Sequence, residues 1–349
     1  MNFRNALLGT TAVIGATALV VPSTASAFDV NINGFFNFNT VVGDLGEATT
    51  IGGNIRAFDF VTDSEIHVQG VNTDDETGIR YGFVVEFETD PQNAVGATTG
   101  NAVIDESWIF IDGAFGGFRL GNEDGAADNS KIGAYNIAAG TGGIDGQGAV
   151  AAGIPIKPTN TGDSTKIRYD SPSIAGFTIH GSYTPNNTIQ GNRIAPKPAV
   201  AHEDFVETAL VYTGSFGALD LQTGATLSFA NGKRGAPDFL GWNVGAIVGF
   251  AGFRVAGSYW EDDFDGQDLD QKGYTLGAAA TLGPADLSVT WADVFDSDQN
   301  IEGQNLVLSA TMGVLPGMSL QGDVAFFDRD LPIADDDGVT GVIRLRVAF

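Results

Sequence analysis

The 349-residue chain contains no cysteine, only three methionines and three histidines, and 17 basic residues against 43 acidic ones. Without cysteine there is no disulfide framework, and a chain this long does not need one. The shortage of bases and a formal charge of −26 exclude a basic nucleic-acid surface. His67, His180 and His202 are too scattered along the chain to read as a metal site or a triad. There is no G-x-S-x-G, no P-loop and no legible nucleophile–base pair, so the chain does not read as an enzyme. Beyond the N-terminal region, no apolar run approaches the roughly 20 residues of a helical membrane span.

The chain does have an N-terminal export pattern. Arg4 supplies a positive start, Ala6 to Val21 is apolar apart from Gly and Thr, and Ala25-Ser26-Ala27 offers a small-residue cleavage pattern. Residues 1–27 are read as a signal peptide and 28–349 as one domain, since no linker or low-complexity boundary interrupts the latter. Glycine is abundant at 48 residues and phenylalanine at 24. Apolar residues come in sets of period two. Phe36 and Phe38 alternate with Asn37 and Asn39; Tyr81, Phe83, Val85 and Phe87 with Arg80, Gly82, Glu86 and Glu88. Leu306, Leu308 and Ala310 alternate with Val307, Ser309 and Thr311; Ile343, Leu345, Val347 and Phe349 with Arg344, Arg346 and Ala348. Such segments of about ten residues fit an all-β transmembrane barrel with lipid outside and water inside.

The connections alternate as well. Short Gly/Pro turns (Phe115-Gly116-Gly117, Ala175-Gly176, Phe216-Gly217, Ala251-Gly252, Gly283-Pro284, Pro316-Gly317) take turns with longer polar stretches: 90–101, 185–202, 230–239, 261–270, 295–303 and 328–337. Short turns on one rim and long loops on the other describe an outer-membrane barrel. Counting segments predicts sixteen antiparallel strands, starting near Phe28, Asp63, Ile79, Val103, Phe118, Thr165, Phe177, Asp204, Leu219, Leu240, Phe253, Gln271, Asp286, Asn305, Met318 and Gly338. At that strand number the lumen is an aqueous channel. Phe177–Tyr183 echoes Phe253–Tyr259, each after an Ala-Gly turn, as recurring hairpins of one sheet would.

A Lys or Arg on the lipid face costs roughly 2–4 kcal/mol at mid-bilayer, so the strand bases are expected in the polar phase. Arg80, Arg119, Lys166, Arg168, Arg254, Lys272, Arg344 and Arg346 are assigned there. Arg56 has no clear phase and fits a loop, and Glu106 shares the parity of Trp108 and Phe110, so that strand either faces the lumen with those residues or packs at a subunit contact. A secreted soluble all-β binding protein, lectin- or adhesin-like, is the alternative, because a sandwich also separates charge from apolar residues. Aromatics at the short turns (Phe118, Phe177, Phe216, Phe253) and a final apolar strand ending at Phe349 favour the barrel.

Ile104–Gly121, with Trp108, Phe110, Asp112-Gly113 and Phe115-Gly116-Gly117-Phe118, resembles the hairpin of Gram-negative general diffusion porins, particularly the alphaproteobacterial type. Asn122-Glu123-Asp124-Gly125-Ala126 is similar to the start of their third loop, Lys166–Pro172 with Ala175-Gly176-Phe177 to their sixth and seventh strands, and Phe349 to their assembly signal. The resemblance implies an outer-membrane porin for passive diffusion of small hydrophilic solutes and ions. It also implies a homotrimer in outer-membrane lipid, inserted by the barrel-insertion machinery, and a third loop (about Asn122 to Ser164) folded inward to narrow the pore. Glu123, Asp124, Asp128 and Asp145 would then form the constriction, against a wall of Arg80, Lys166, Arg168, Arg254, Arg344 and Arg346. No cofactor is implied. Asp263, Asp265, Asp268 and Asp270 read first as a solvated acidic loop and second as a calcium site in an external loop, with the terminal bidentate Glu of an EF-hand missing.

Overall fold

The computed structural model describes residues 28–44, 57–89, 103–187, 202–265, 271–296, 301–331 and 334–349. Residues 1–27, Arg56, Asp268 and Asp270 lie outside that set. Sixteen antiparallel strands close into a barrel. They are β1 Asp29–Asp44, β2 Phe58–Thr73, β3 Arg80–Glu88, β4 Val103–Gly113, β5 Gly116–Asn122, β6 Thr165–Asp170, β7 Phe177–Thr184 and β8 His202–Phe216. The second half is β9 Leu219–Gly232, β10 Phe239–Phe250, β11 Phe253–Phe264, β12 Gln271–Leu282, β13 Ala285–Asp296, β14 Ile301–Leu315, β15 Met318–Leu331 and β16 Ala334–Ala348. Each strand pairs with its sequence neighbours, and β1 pairs with β16 from Phe35↔Ala348 to Asp44↔Val339. Closure leaves no edge, which matters where an unpaired backbone group costs several kcal/mol.

The two faces of the wall have opposite polarity. On β16, Ile343 is 60% exposed and Leu345 41%, whereas Val342 is 1% and Arg344 7% exposed. Every strand carries at least one exposed large apolar residue on the outside, from Phe36 on β1 to Ile343 on β16. Leaving one such side chain in water forgoes about 1.5–3 kcal/mol. Only lipid or a partner surface covers a band of this extent, so the soluble alternative is excluded; it requires the apolar residues inside. Aromatic pairs edge the band. Phe118 lies 5.0 Å from Tyr169 and Phe177 4.8 Å from Tyr212 near the short turns, and Trp242–Tyr259 (5.2 Å) and Tyr274–Trp291 (5.4 Å) lie toward the loops.

The echoed hairpins share their turn. Ala175-Gly176 and Ala251-Gly252 have φ of 52° and 87°, and 49° and 84°. Two successive left-handed residues match the twist of the flanking strands, and glycine takes the second at no steric cost. The stretch 328–337 is not a long loop: β15 and β16 stay paired as far as Leu331↔Ala334, because strand pairing continues beyond the apolar band.

One open phase is settled and one assignment is corrected. Between β3 and β4 the register slips: Val85 faces Ser107 but Phe87 faces Ile104, so Asp105 and Glu106 together oppose Glu86. This bulge lets Ile104 and Ile109 both point outward although five residues apart. Glu106, Trp108 and Phe110 share the inward phase, the lumen-facing placement of the two left open for this strand, and Phe110 is capped by the guanidinium groups of Arg80 (4.6 Å) and Arg119 (5.7 Å). Lys272, expected inward, lies on the outer face opposite Glu261; it is the second residue of β12, where the strand has passed the aromatic belt.

Candidate pore constriction

The long insertion between β5 and β6 enters the barrel and runs along its inner wall. The short helix Ala126–Asn129 packs on β7–β9, the 3-10 turn Ala134–Ile137 on β11–β13, the turn Gly143–Asp145 on β13 and β14, and the helix Gly148–Ala151 on β15 and β16. An irregular segment inside a barrel must satisfy its backbone polar groups. Inward-facing strand side chains do this one after another. Glu207 accepts from the amides of Ala127 (3.4 Å) and Thr161 (2.9 Å), Thr275 from Ala134 (3.0 Å), Ser288 from Ala139 (2.8 Å) and Thr311 from Gly140 (2.8 Å). Asp323 accepts from Thr141 (2.8 Å) and Asp262 from Thr159 (2.9 Å). Asn305, Arg329 and Thr340 donate to the carbonyls of Val150 (2.8 Å), Ala152 (2.7 Å) and Ala149 (2.8 Å).

Apolar patches lie between these bonds. Tyr135, Ile144, Val150 and Ile156 of the insertion pack on Val307, Ala325 and Val342 of the wall. Ala152 and Ile154 pack against Trp260, Val294 and Phe327. Trp260 therefore belongs to the lumen and not to an interfacial belt.

The four expected acids occupy different settings. Glu123 is buried at the root of the insertion, 2.5 Å from Arg168, and Lys166 donates to the carbonyls of Glu123 and Gly162. Asp128 accepts from Lys131 (2.9 Å), Lys157 (2.8 Å) and Asn160 (2.7 Å). Burial alone would raise its carboxyl, but the two ammonium groups hold it well below the usual range. At Asp124 burial, then the neighbouring Asp128 charge, outweigh the pull of Lys131 and push the carboxyl up to about 7. Asp145 is the acid that meets the lumen water. Across a cleft of about 660 Å3 it faces Arg344 and Arg346, with Asp63, Glu88 and Gln147 also on the lining.

The six expected bases divide similarly. Arg344 donates through Nε to Asn39 (2.7 Å), and Arg346 donates to Asn37 (3.2 Å) with its guanidinium 4.0 Å over the Phe35 ring. These two share the cleft with Asp145. Lys166 and Arg168 are buried at the insertion's root. Arg80 is 3.0 Å from Asp112. Arg254 lines a separate cavity of about 500 Å3 with Asp220 and Gln222. Asp263 ends up on exposed outer β11 and Asp265 just past it.

Sequence reasoning missed two groups. One is the hydroxyl and carboxylate set that holds the insertion; its signal was the run of small polar residues in the inward phase, such as Thr275, Ser288 and Thr290. The other is an acidic inner wall: Glu65, Glu86, Glu88, Asp105 and Glu106 on β2–β4, with Asp163 from the insertion beside Glu106 and Asp124.

A closed sixteen-stranded wall, an apolar outside, a hydrated charged inside and an insertion bound along the lumen define a channel-forming outer-membrane barrel. The Gram-negative porin family pattern matches residues 10–331, and the chain belongs to that family. No curated protein sequence is significantly similar to it. Among solved structures, an anion-selective porin from Comamonas acidovorans is similar with TM-score 0.64 and 19% identity, over 92% of this chain and 100% of that one. OmpT, an outer membrane protein of Vibrio cholerae described as a trimer form, gives TM-score 0.65 and 12% identity, over 93% and 100%. A Rh. blastica porin mutant gives 0.61 and 15%, over 92% and 100%. The protein is an outer-membrane porin of the Gram-negative type.

Proposed function

We propose that the pore passes small hydrophilic solutes and ions passively, without catalysis, with a modest preference for cations, and that three copies assemble into a homotrimer. The observation that carries the preference is the charge around the cleft. Asp145, Asp63 and Glu88 line it together with Arg344 and Arg346, and the wall beyond adds Glu65, Glu86, Asp105 and Glu106. A surplus of carboxylates in a narrow water-filled passage concentrates cations. The two arginines opposite Asp145 set up a transverse field that orients dipolar solutes. The remaining expected acids and bases, Glu123, Asp128, Lys166 and Arg168, hold the insertion in place.

The trimer reading rests on the aromatic outer face of β1, β2 and the end of β16, where Phe38 lies 5.2 Å from Phe60 and Phe36 6.1 Å from Phe349. The Vibrio protein described as a trimer has the same fold. Reversal potentials under a KCl gradient in planar bilayers test the selectivity; anion preference would refute it. Native mass in mild detergent tests the trimer; a stable monomer would refute that.

A further inference from the structure

The inner wall carries one donor set that is not purely carboxylate. His67 and Glu86 are directly opposite in the β2–β3 ladder, and Glu65 is two residues from His67 on the same face. The His67 Nε2 atom lies 2.8 Å from Glu65 Oε2 and 3.6 Å from Glu86 Oε2, and the three donor atoms all lie within 4.8 Å of one another. Strand pairing, not loop packing, sets this spacing, so the three groups are carried by the barrel wall itself.

We propose that His67, Glu65 and Glu86 form a lumenal binding site for a transition-metal dication of the zinc type. Tetrahedral bonds of about 2.0–2.2 Å to one imidazole nitrogen and two carboxylate oxygens put the donors roughly 3.4 Å apart, between the 2.8 and 3.6 Å that separate His67 from the two carboxylates here. The side chains are 18–24% exposed, so water can complete the coordination from the lumen. Glu88 and Asp105 form a second group with Glu65, which raises the local cation concentration. Arg346, over the Phe35 ring that touches His67, is the facing base and opposes it. The imidazole distinguishes the site from the solvated carboxylates around it. Hard Mg2+ and Ca2+ prefer all-oxygen sets, whereas imidazole suits Zn2+, Cu2+ and Ni2+. Because the site lies on the wall of the passage, an ion held there obstructs current and repels following cations.

The test is conductance of the full-length channel in planar bilayers with micromolar Zn2+, Mg2+ or Ca2+ added. Zn2+ should reduce the current, and the other two at equal concentration should not. His67→Gln, and separately Glu86→Gln, should weaken the Zn2+ effect by at least about tenfold, since even indirect disturbance of a metal ligand costs 10–100-fold. Heat-modifiability of each variant confirms that the barrel is assembled. Channels that conduct but ignore Zn2+, or a His67→Gln variant with full Zn2+ sensitivity, overturn the metal site and leave the porin reading intact. Equal block by Mg2+ overturns it too, because screening alone then suffices.

Discussion

Replacing Arg344 and Arg346 together by Gln should make the pore strongly cation-selective. Both guanidinium groups line the cleft opposite Asp145, while Asp63 and Glu88 remain on the same lining. Gln keeps a donor for Asn39 and Asn37, the partners that anchor the two arginines now. An ion passing about 6 Å from one guanidinium feels ~0.7 kcal/mol in a water-like medium. A Debye length of about 10 Å at 0.1 M roughly halves that. Two arginines together then change local ion occupancy by about fourfold, at about 1.4 kcal/mol per tenfold. Cations gain and anions lose, so the permeability ratio should move toward cations by on the order of tenfold. Reversal potentials under a KCl gradient measure this. The shift should largely vanish near 1 M salt, where the screening length falls to about 3 Å. Arg80→Gln is the control: Arg80 is not on this lining, and its partner Asp112 keeps Arg119 at 2.6 Å, so the ratio should change little. An unchanged ratio in correctly assembled double variants, or movement toward anions, would show that the arginines do not line the conducting path.

Three other outcomes are expected. Deleting 138–152 should raise single-channel conductance with the barrel still heat-modifiable, because the segment belongs to no strand; it will leave Val307, Ala325 and Val342 facing water, and unchanged conductance would place the segment outside the pore. Asp124 has its carboxyl raised from 3.8 to about 7, so its contribution to holding the insertion is full below about 4 and is lost as pH rises through 7; cation preference should therefore grow between pH 5 and 8, less so in Asp124→Asn, and a flat wild-type profile would exclude its titration in the pore. Removing Phe349, whose backbone exchanges 3.2 Å hydrogen bonds with Gly34 and whose ring stacks on Phe36, should lower the amount of assembled barrel without altering conductance; wild-type assembly levels would argue against an anchoring role.

The architecture was legible because period two is a direct consequence of strand geometry: residues such as Ile343, Leu345 and Val347 must face one medium and Arg344 and Arg346 the other. Alternating short turns and long loops then set strand number and direction, and most strand starts fell within a few residues of the observed ones. Where the pattern broke, tertiary structure decided. The Asp105–Glu106 bulge reverses the phase of β4, and no local rule places a bulge there. Lys272 could not be positioned because parity says nothing about height along the barrel. The site was less legible still. The sequence marked the insertion by its length and its charges by type, but it could not say that Asp128 is neutralised by Lys131 and Lys157 while Asp145 meets water. Nor could it join His67 to Glu86, nineteen positions apart. Local sequence determines which face a side chain takes. Which charges oppose one another across the lumen follows only from closing the barrel and laying the insertion along its wall.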